Sequence, residues 1–220
     1  MANLTLAPST TRTVADLLEH LGGIPPYRVR LHPTPGTATE QDVIDILAHE
    51  DRCCELIDGV LVEKAMGWYE SRLAIVIAYF IESFLDDHDL GVVAGEHGLL
   101  RLFPNQVRIP DVSFISWEQF PDRKLPADPI PGLYPNLAVE VLSQSNTEKE
   151  MRRKLREYFA AGTQLVWLVD PKARTVRVYT SPRKSKLVRE DQTLDGGDVL
   201  PGFQLPLRKL FVRAGRRKGS

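Results

Sequence analysis

The sequence predicts a mixed α/β fold: a mixed central β-sheet flanked by helices, with a β-hairpin and a helical arm toward the N-terminus. Three observations carry this expectation. A short, nearly all-apolar run from Asn136 to Leu142 is followed by a helical pattern over Glu148 to Ala161 and a second apolar run over Thr163 to Val169. Strand, helix, strand within about 30 residues describes a βαβ-like crossover. Apolar residues also stand on both sides of Asp58-Gly59, a dipeptide that favours the positive φ angles of a tight hairpin turn. Finally, Leu73, Ile77, Phe80, Ile81 and Phe84 recur at helical spacing between Tyr69 and Asp86, which marks a long amphipathic helix.

Composition narrows the class before any element is placed. The chain has 220 residues, 43% apolar, 26% charged and 8% aromatic, which excludes disordered and fibrous classes and suits one hydrophobic core. No apolar run approaches the roughly 20 residues that span a bilayer, and Met1 to Arg12 lacks the basic end and apolar stretch of a secretory signal. A cytoplasmic protein without a membrane partner is expected. Cys53 and Cys54 are adjacent, a spacing that does not suit a disulfide. His20, His32, His49, His88 and His97 show no metal-type pairing with them, so no structural zinc is expected.

The remaining elements follow in order. Residues 1–50 read as an arm broken by Pro25, Pro26, Pro33, Pro35 and Gly36, with short helices over Thr13 to Leu21 and Thr39 to His49, the second packing on a sheet edge. Residues 51–210 form the main domain. After the hairpin and the long helix come strands over Val92 to Ala94, Leu99 to Phe103 and Val107 to Ile115, where Pro110 implies an edge strand or a bend. A Pro-rich loop, Pro121 to Pro135, leads to the Asn136 strand. Gly162 suits the end of the Glu148 helix, and Thr175 to Tyr179 alternates as an outer strand. Trp167 and Tyr179 read as core, and His97 as a turn residue between Gly95 and Gly98. Residues 211–220 continue a frayed basic tail that begins near Arg208.

Net charge is −1, yet between Glu148 and Glu190 twelve Lys or Arg face five Asp or Glu. Such a segment fits a solvated helix face first and a localised phosphate contact second.

Two acids sit where the pattern wants apolar residues. Asp111 follows Pro110 in an extended run, and Glu140 interrupts the most buried-looking strand. A carboxylate in such a place costs several kcal/mol unless a cation, hydrogen bonds or a metal compensate it. Singly, each reads as well as a strand-end carboxylate that caps a turn or pairs with an Arg. Together, on separate strands and followed by a Lys on the next helix, they suit Mg²⁺ or Mn²⁺ held by oxygen ligands beside a phosphate. Lys154 is the candidate Lys, sharing a helix face with Met151, Leu155 and Tyr158, whereas Arg152, Arg153 and Arg156 face outward or sideways.

The segments Glu55 to Glu63, Val107 to Ile115, Leu137 to Asn146, Lys154 with Tyr158 to Thr163, and Val166 to Pro171 resemble the Uma-type putative restriction endonuclease family of the PD-(D/E)XK nuclease superfamily. The resemblance implies a restriction-endonuclease-like core and a metal-dependent phosphodiesterase acting on nucleic acid, with DNA the expected substrate and a homodimer the simplest way to cut both strands. It implies Asp111 and Glu140 as metal ligands and Lys154 as the catalytic amine. The superfamily pattern expects a lysine two residues after the second acid, where this chain has Leu142. That departure leaves a second reading, a catalytically degenerate scaffold that binds nucleic acid or a protein partner. Near the start of the long helix, where the family often carries a polar residue, Glu70 stands as a further expected metal ligand or water-holder, or else as a helix-start carboxylate.

Overall fold

In the computed structural model of the chain, residues 13–50, 52–64 and 66–215 are described. The start of the arm, 1–12, and the last part of the expected basic tail, 216–220, lie outside them. The elements in chain order are α1 (Val14–His20), α2 (Glu40–Glu50), β1 (Cys54–Ile57), β2 (Val60–Glu63), α3 (Trp68–Leu85), β3 (Gly91–Ala94), β4 (Leu100–Phe103), β5 (Gln106–Arg108), β6 (Val112–Ser116), β7 (Leu137–Val141), α4 (Glu148–Ala161), β8 (Leu165–Asp170), β9 (Thr175–Ser181), β10 (Lys184–Val188), β11 (Thr193–Asp195), β12 (Gln204–Pro206) and α5 (Leu207–Arg213). None of the described helices is long and apolar enough to cross a membrane.

Two sheets carry the architecture. The smaller has strand order β2-β1-β5-β4 and the larger β10-β9-β8-β7-β6-β3, while β11 and β12 form a short ribbon. In the larger sheet only β7 and β8 run parallel, the pair joined through α4, and the other neighbours are antiparallel. The mixed sheet and the crossover are therefore as the sequence predicts.

Side-chain alternation along β7 explains the layers. Val139 and Val141 point to one face and pack with Leu73, Ile77 and Ile81 of α3, with Trp167 and with Phe211. Ala138 points to the other and packs with Met151, Leu155 and Tyr158 of α4. A strand covered on both faces tolerates few polar residues. Thr147 caps α4 reciprocally with Glu150, and Gly162 ends it at φ 118°, where a Cβ would strike the Tyr134 ring. The hairpin turn is built as expected, with Asp58 and Gly59 at φ 50° and 76°.

Several expectations change. The run Val107 to Ile115 is not one strand: β5 belongs to the smaller sheet and β6 to the larger, and Pro110 marks the bend between them rather than an edge, since β6 is internal. The second arm helix, α2, packs against the internal strand β1 rather than on a sheet edge. Strand β9 is not outermost, because β10 pairs beyond it and presents exposed Lys184 and Lys186 at the sheet margin. The arm is also anchored, for Leu17, Leu21 and Ile24 bury against Ile57, Val60 and Val62 of the hairpin.

The expected frayed tail is the clearest correction. Residues from Leu207 form α5, with Leu207, Leu210 and Phe211 fully buried in the α3 layer, so the basic residues there occupy the outer side of a packed helix. The apolar spacing 207, 210, 211 carried that signal within a run whose charges obscured it. Truncating Phe211 to Ala should cost about 3–5 kcal/mol of unfolding free energy, measured by urea denaturation. The same change at exposed Arg208 should cost less than about 0.5 kcal/mol.

Candidate active site

The chain leaves the smaller sheet at β5 and enters the larger at β6 through Ile109-Pro110-Asp111, and this crossing assembles the site. Asp111 extends the antiparallel β6–β7 ladder by one residue. Its backbone N–H donates to the Val139 carbonyl at 3.0 Å, and its Oδ2 accepts from the Val141 N–H at 2.5 Å. Register therefore sets Asp111 beside Glu140.

Lys154 reaches the acids from α4. Its Nζ lies 3.1 Å from both carboxylate oxygens of Glu140 and 3.0 Å from Oε1 of Glu55. Tyr158, one turn further along α4, donates its hydroxyl to Glu140 Oε1 at 2.6 Å. Glu55 sits on β1 opposite Arg108 of β5, whose guanidinium donates to Glu55 Oε2 at 2.7 Å and, through Nε, to Glu157 at 2.7 Å. Lys64, just after β2, donates to the Ile109 carbonyl at 2.7 Å and pairs with Asp111 Oδ1 at 2.6 Å. All of Glu55, Arg108, Asp111, Glu140 and Lys154 are at least 95% buried.

Burial and charge act against each other here. Burial penalises the charged form of Glu55, but Lys154, Arg108 and Lys64 outweigh it and hold the carboxyl well below the ordinary range. Glu140 goes the other way: burial, with Asp111 and Glu55 nearby, outweighs Lys154 and Lys64 and raises it. Burial alone would depress Lys154, yet Glu140 and Glu55 hold its ammonium charged well above the usual lysine range. Two acids sharing one ammonium thus have opposite tendencies, the pattern that separates proton-holding from charge-holding groups.

Of the residues expected from sequence, Asp111, Glu140 and Lys154 are brought together. Glu70 stands apart from them. It occupies the first turn of α3, folded over Gly67, where a side chain would collide with its carboxylate. It faces a cavity of about 440 Å³, also lined by Leu142, Gln144, Arg152, Lys172 and Arg177. The charges that weigh most on Glu140 are those of Lys154, Asp111, Lys64 and Glu55, not Glu70. Among the described residues no three His, Cys, Asp or Glu side chains are gathered so that they could hold one metal ion. Asp111, Glu140 and Glu70 are thus not gathered into one such group, and Glu70 instead shares its cavity with Met151, Arg152 and Leu155 of α4.

Sequence reasoning missed Glu55, Lys64, Arg108 and Glu157. The signal for Glu55 was present, since it interrupts an apolar run as Glu140 does. Arg153, expected outward or sideways, is instead buried against Asp58, Glu157 and the His20 carbonyl. Much of the basic segment is likewise paired, Lys149 with Glu19, Arg152 with Glu148 and Arg174 with Glu190. Lys172, Arg177, Arg183, Lys184, Lys186 and Arg189 remain exposed along the β8–β10 margin.

Comparison with known proteins agrees with this geometry. Residues 41–208 match the Uma2 family, described as putative restriction endonucleases. A crystal structure of a putative nuclease belonging to DUF820 from Anabaena variabilis superposes with a TM-score of 0.64 at 21% identity, covering 74% of this chain and 92% of that one. At that identity the likeness establishes the restriction-endonuclease-like fold. A search of curated proteins returns no match.

The pH dependence of stability follows from the directions of the shifts. Folding lowers the Glu55 carboxyl from its ordinary 4.5, so its contribution is complete above that pH and is lost as pH falls below it. Glu140, which is raised, contributes most below 4.5 and less as pH rises. Glu55→Gln should lose about 3–5 kcal/mol near neutrality by leaving Arg108 and Lys154 short of an anion. It should also show a shallower fall of unfolding free energy below pH 4.5 than the parent, measured by denaturant titration across a pH series.

Proposed function

We propose, from the premise that this chain belongs to the Uma2 family of putative restriction endonucleases, that it is a metal-dependent phosphodiesterase cutting nucleic acid, with DNA as substrate. The observation that carries this reading is the meeting of Asp111, Glu140 and Lys154, from two strands and a helix, at one end of the larger sheet. A structural ion pair would need one acid and one base. Here two neighbouring buried carboxylates lie side by side, Glu140 held by Lys154 and Asp111 by Lys64, at a cost in desolvation that function accounts for more readily than stability.

The donor chemistry fits magnesium or manganese. Asp111, Glu140 and the Ile109 carbonyl offer only oxygens, and Mg²⁺ characteristically takes one or two carboxylates with waters and a substrate phosphate completing its shell. When bound, the ion would polarise the phosphoryl group and lower the pKa of a water. The protein's own groups supply the rest. The Val141 N–H fixes the Asp111 carboxylate in the plane of the ladder. The Tyr158 hydroxyl and Lys154 hold Glu140 from the α4 side. Lys154, kept charged, opposes negative charge that builds on phosphorus. Glu70 supports the site from the neighbouring cavity as a water-holder, and the exposed cations of the β8–β10 margin contact phosphates. Glu55 and Arg108 position Lys154 without touching substrate.

Leu142 at the usual lysine position favours the second reading, a degenerate scaffold that binds without cutting. It lies two residues beyond Glu140 and lines the cavity, so no amine comes from that position. The two readings separate on plasmid DNA with Mg²⁺ or Mn²⁺. Asp111→Asn and Glu140→Gln should lower cleavage by at least about a hundredfold, and Lys154→Met should do the same while calorimetry still detects the ion. A Glu140→Gln protein that cuts as fast as the parent removes the assignment.

A further inference from the structure

Lys64 has no part in the mechanism above, yet its side chain, only 7% exposed, is seated against Asp111. The Asp111 carboxylate has one oxygen committed, Oδ2, which accepts from the Val141 N–H. The other, Oδ1, is the oxygen left for a metal ion, and Lys64 Nζ lies 2.6 Å from it. The same ammonium lies 2.7 Å from the Ile109 carbonyl, and its charge acts on both Glu55 and Glu140. A cation seated among a carboxylate oxygen, a backbone carbonyl and two further nearby acids has the surroundings that a hard divalent ion takes.

Lys154 cannot be exchanged in this way. It is held from a capped helix between Glu55 and Glu140, and removing it would leave two buried acids facing each other. Lys64 is placed differently. Its backbone N–H is held by the Cys53 carbonyl at the open end of the hairpin, and its long flexible stem carries the ammonium into the site from the rim. Turning that stem away from Asp111 is the movement that would free Oδ1.

We propose that Lys64 is a tethered stand-in for the divalent ion, so that the Lys64–Asp111 pair and ion binding at Asp111 exclude one another. The identity of the ion rests on the nuclease reading; the competition rests on Lys64. Two cations cannot share Oδ1 at contact distance in a buried site without strong repulsion. The tethered ammonium stays paired with Asp111 Oδ1 while the ion is away. It also lowers the apparent affinity for the ion by the fraction of molecules in which Lys64 is swung out.

Calorimetry of the full chain with MnCl₂ tests the competition. Lys64→Met should bind Mn²⁺ at least about tenfold more tightly than the parent, and Asp111→Asn should bind none. A second measurement uses the parent alone, so that a poorly folding variant leaves the proposal testable: acylation of lysines by a water-soluble succinimidyl ester, read by mass spectrometry. Lys64 should be protected without ion and react several-fold faster in saturating Mn²⁺, while Lys154 stays protected in both. If Lys64→Met and parent bind Mn²⁺ equally through Asp111, or if Lys64 stays protected with Mn²⁺ bound, the competition is overturned and the nuclease reading stands. If neither the parent nor Lys64→Met binds Mn²⁺, the ion reading itself falls and takes this proposal with it.

Discussion

One ammonium shared between two buried carboxylates holds this site, and much of the surrounding structure, in place. Lys154 joins α4 to Glu140 of the larger sheet and to Glu55 of the smaller. Each of these charges would be costly alone in so dry a place, and their mutual attraction offsets that cost only while the geometry is kept. The supporting contacts follow from this constraint. Arg108 satisfies the second oxygen of Glu55, Glu157 satisfies Arg108, and Arg153 satisfies Glu157 while also reaching Asp58 at the hairpin turn. The capping box of α4 is tied into the arm as well, since buried Glu150 pairs with buried Arg28. Polar order thus runs from the arm through α4 to the acid pair without a gap.

The two-sheet arrangement explains why the acids are presented at all. A continuous strand from Val107 to Ile115 would place its alternate residues on one sheet face. The bend at Pro110 ends one ladder and starts another, so that Asp111 can use its side chain to cap the Val141 N–H. Such an end-of-ladder position leaves a carboxylate oxygen outside the hydrogen-bond grid, available to a cation. Glu140 is at the neighbouring position on β7, where alternation turns it toward α4.

Much of this was legible in the chain itself, and the limits have physical reasons. Apolar periodicity placed the main helices and the β7-α4-β8 unit because burial on one or two faces dictates that pattern. Asp111 and Glu140 were identified from the cost of a charge within an apolar run, and Lys154 from its helix face and the family resemblance. Glu55 carries the same signal, but in a four-residue strand next to a recognisable turn it reads as part of the hairpin. Lys64 and Glu157 give no such signal, because a lysine at a strand end and a glutamate on a helix are ordinary surface residues until the tertiary fold closes over them. Helix α5 was obscured by its own arginines and lysines. Distances across faces are the information that a linear pattern does not contain.

The open margin of the larger sheet has a consequence of its own. Among the described residues no strand pairs beyond β10, and Lys184 and Lys186 stand exposed along it. A second copy of the chain that tried to anneal its own β10 there would bring like charges together across the new ladder. The same lysines therefore oppose growth of the sheet into a fibril.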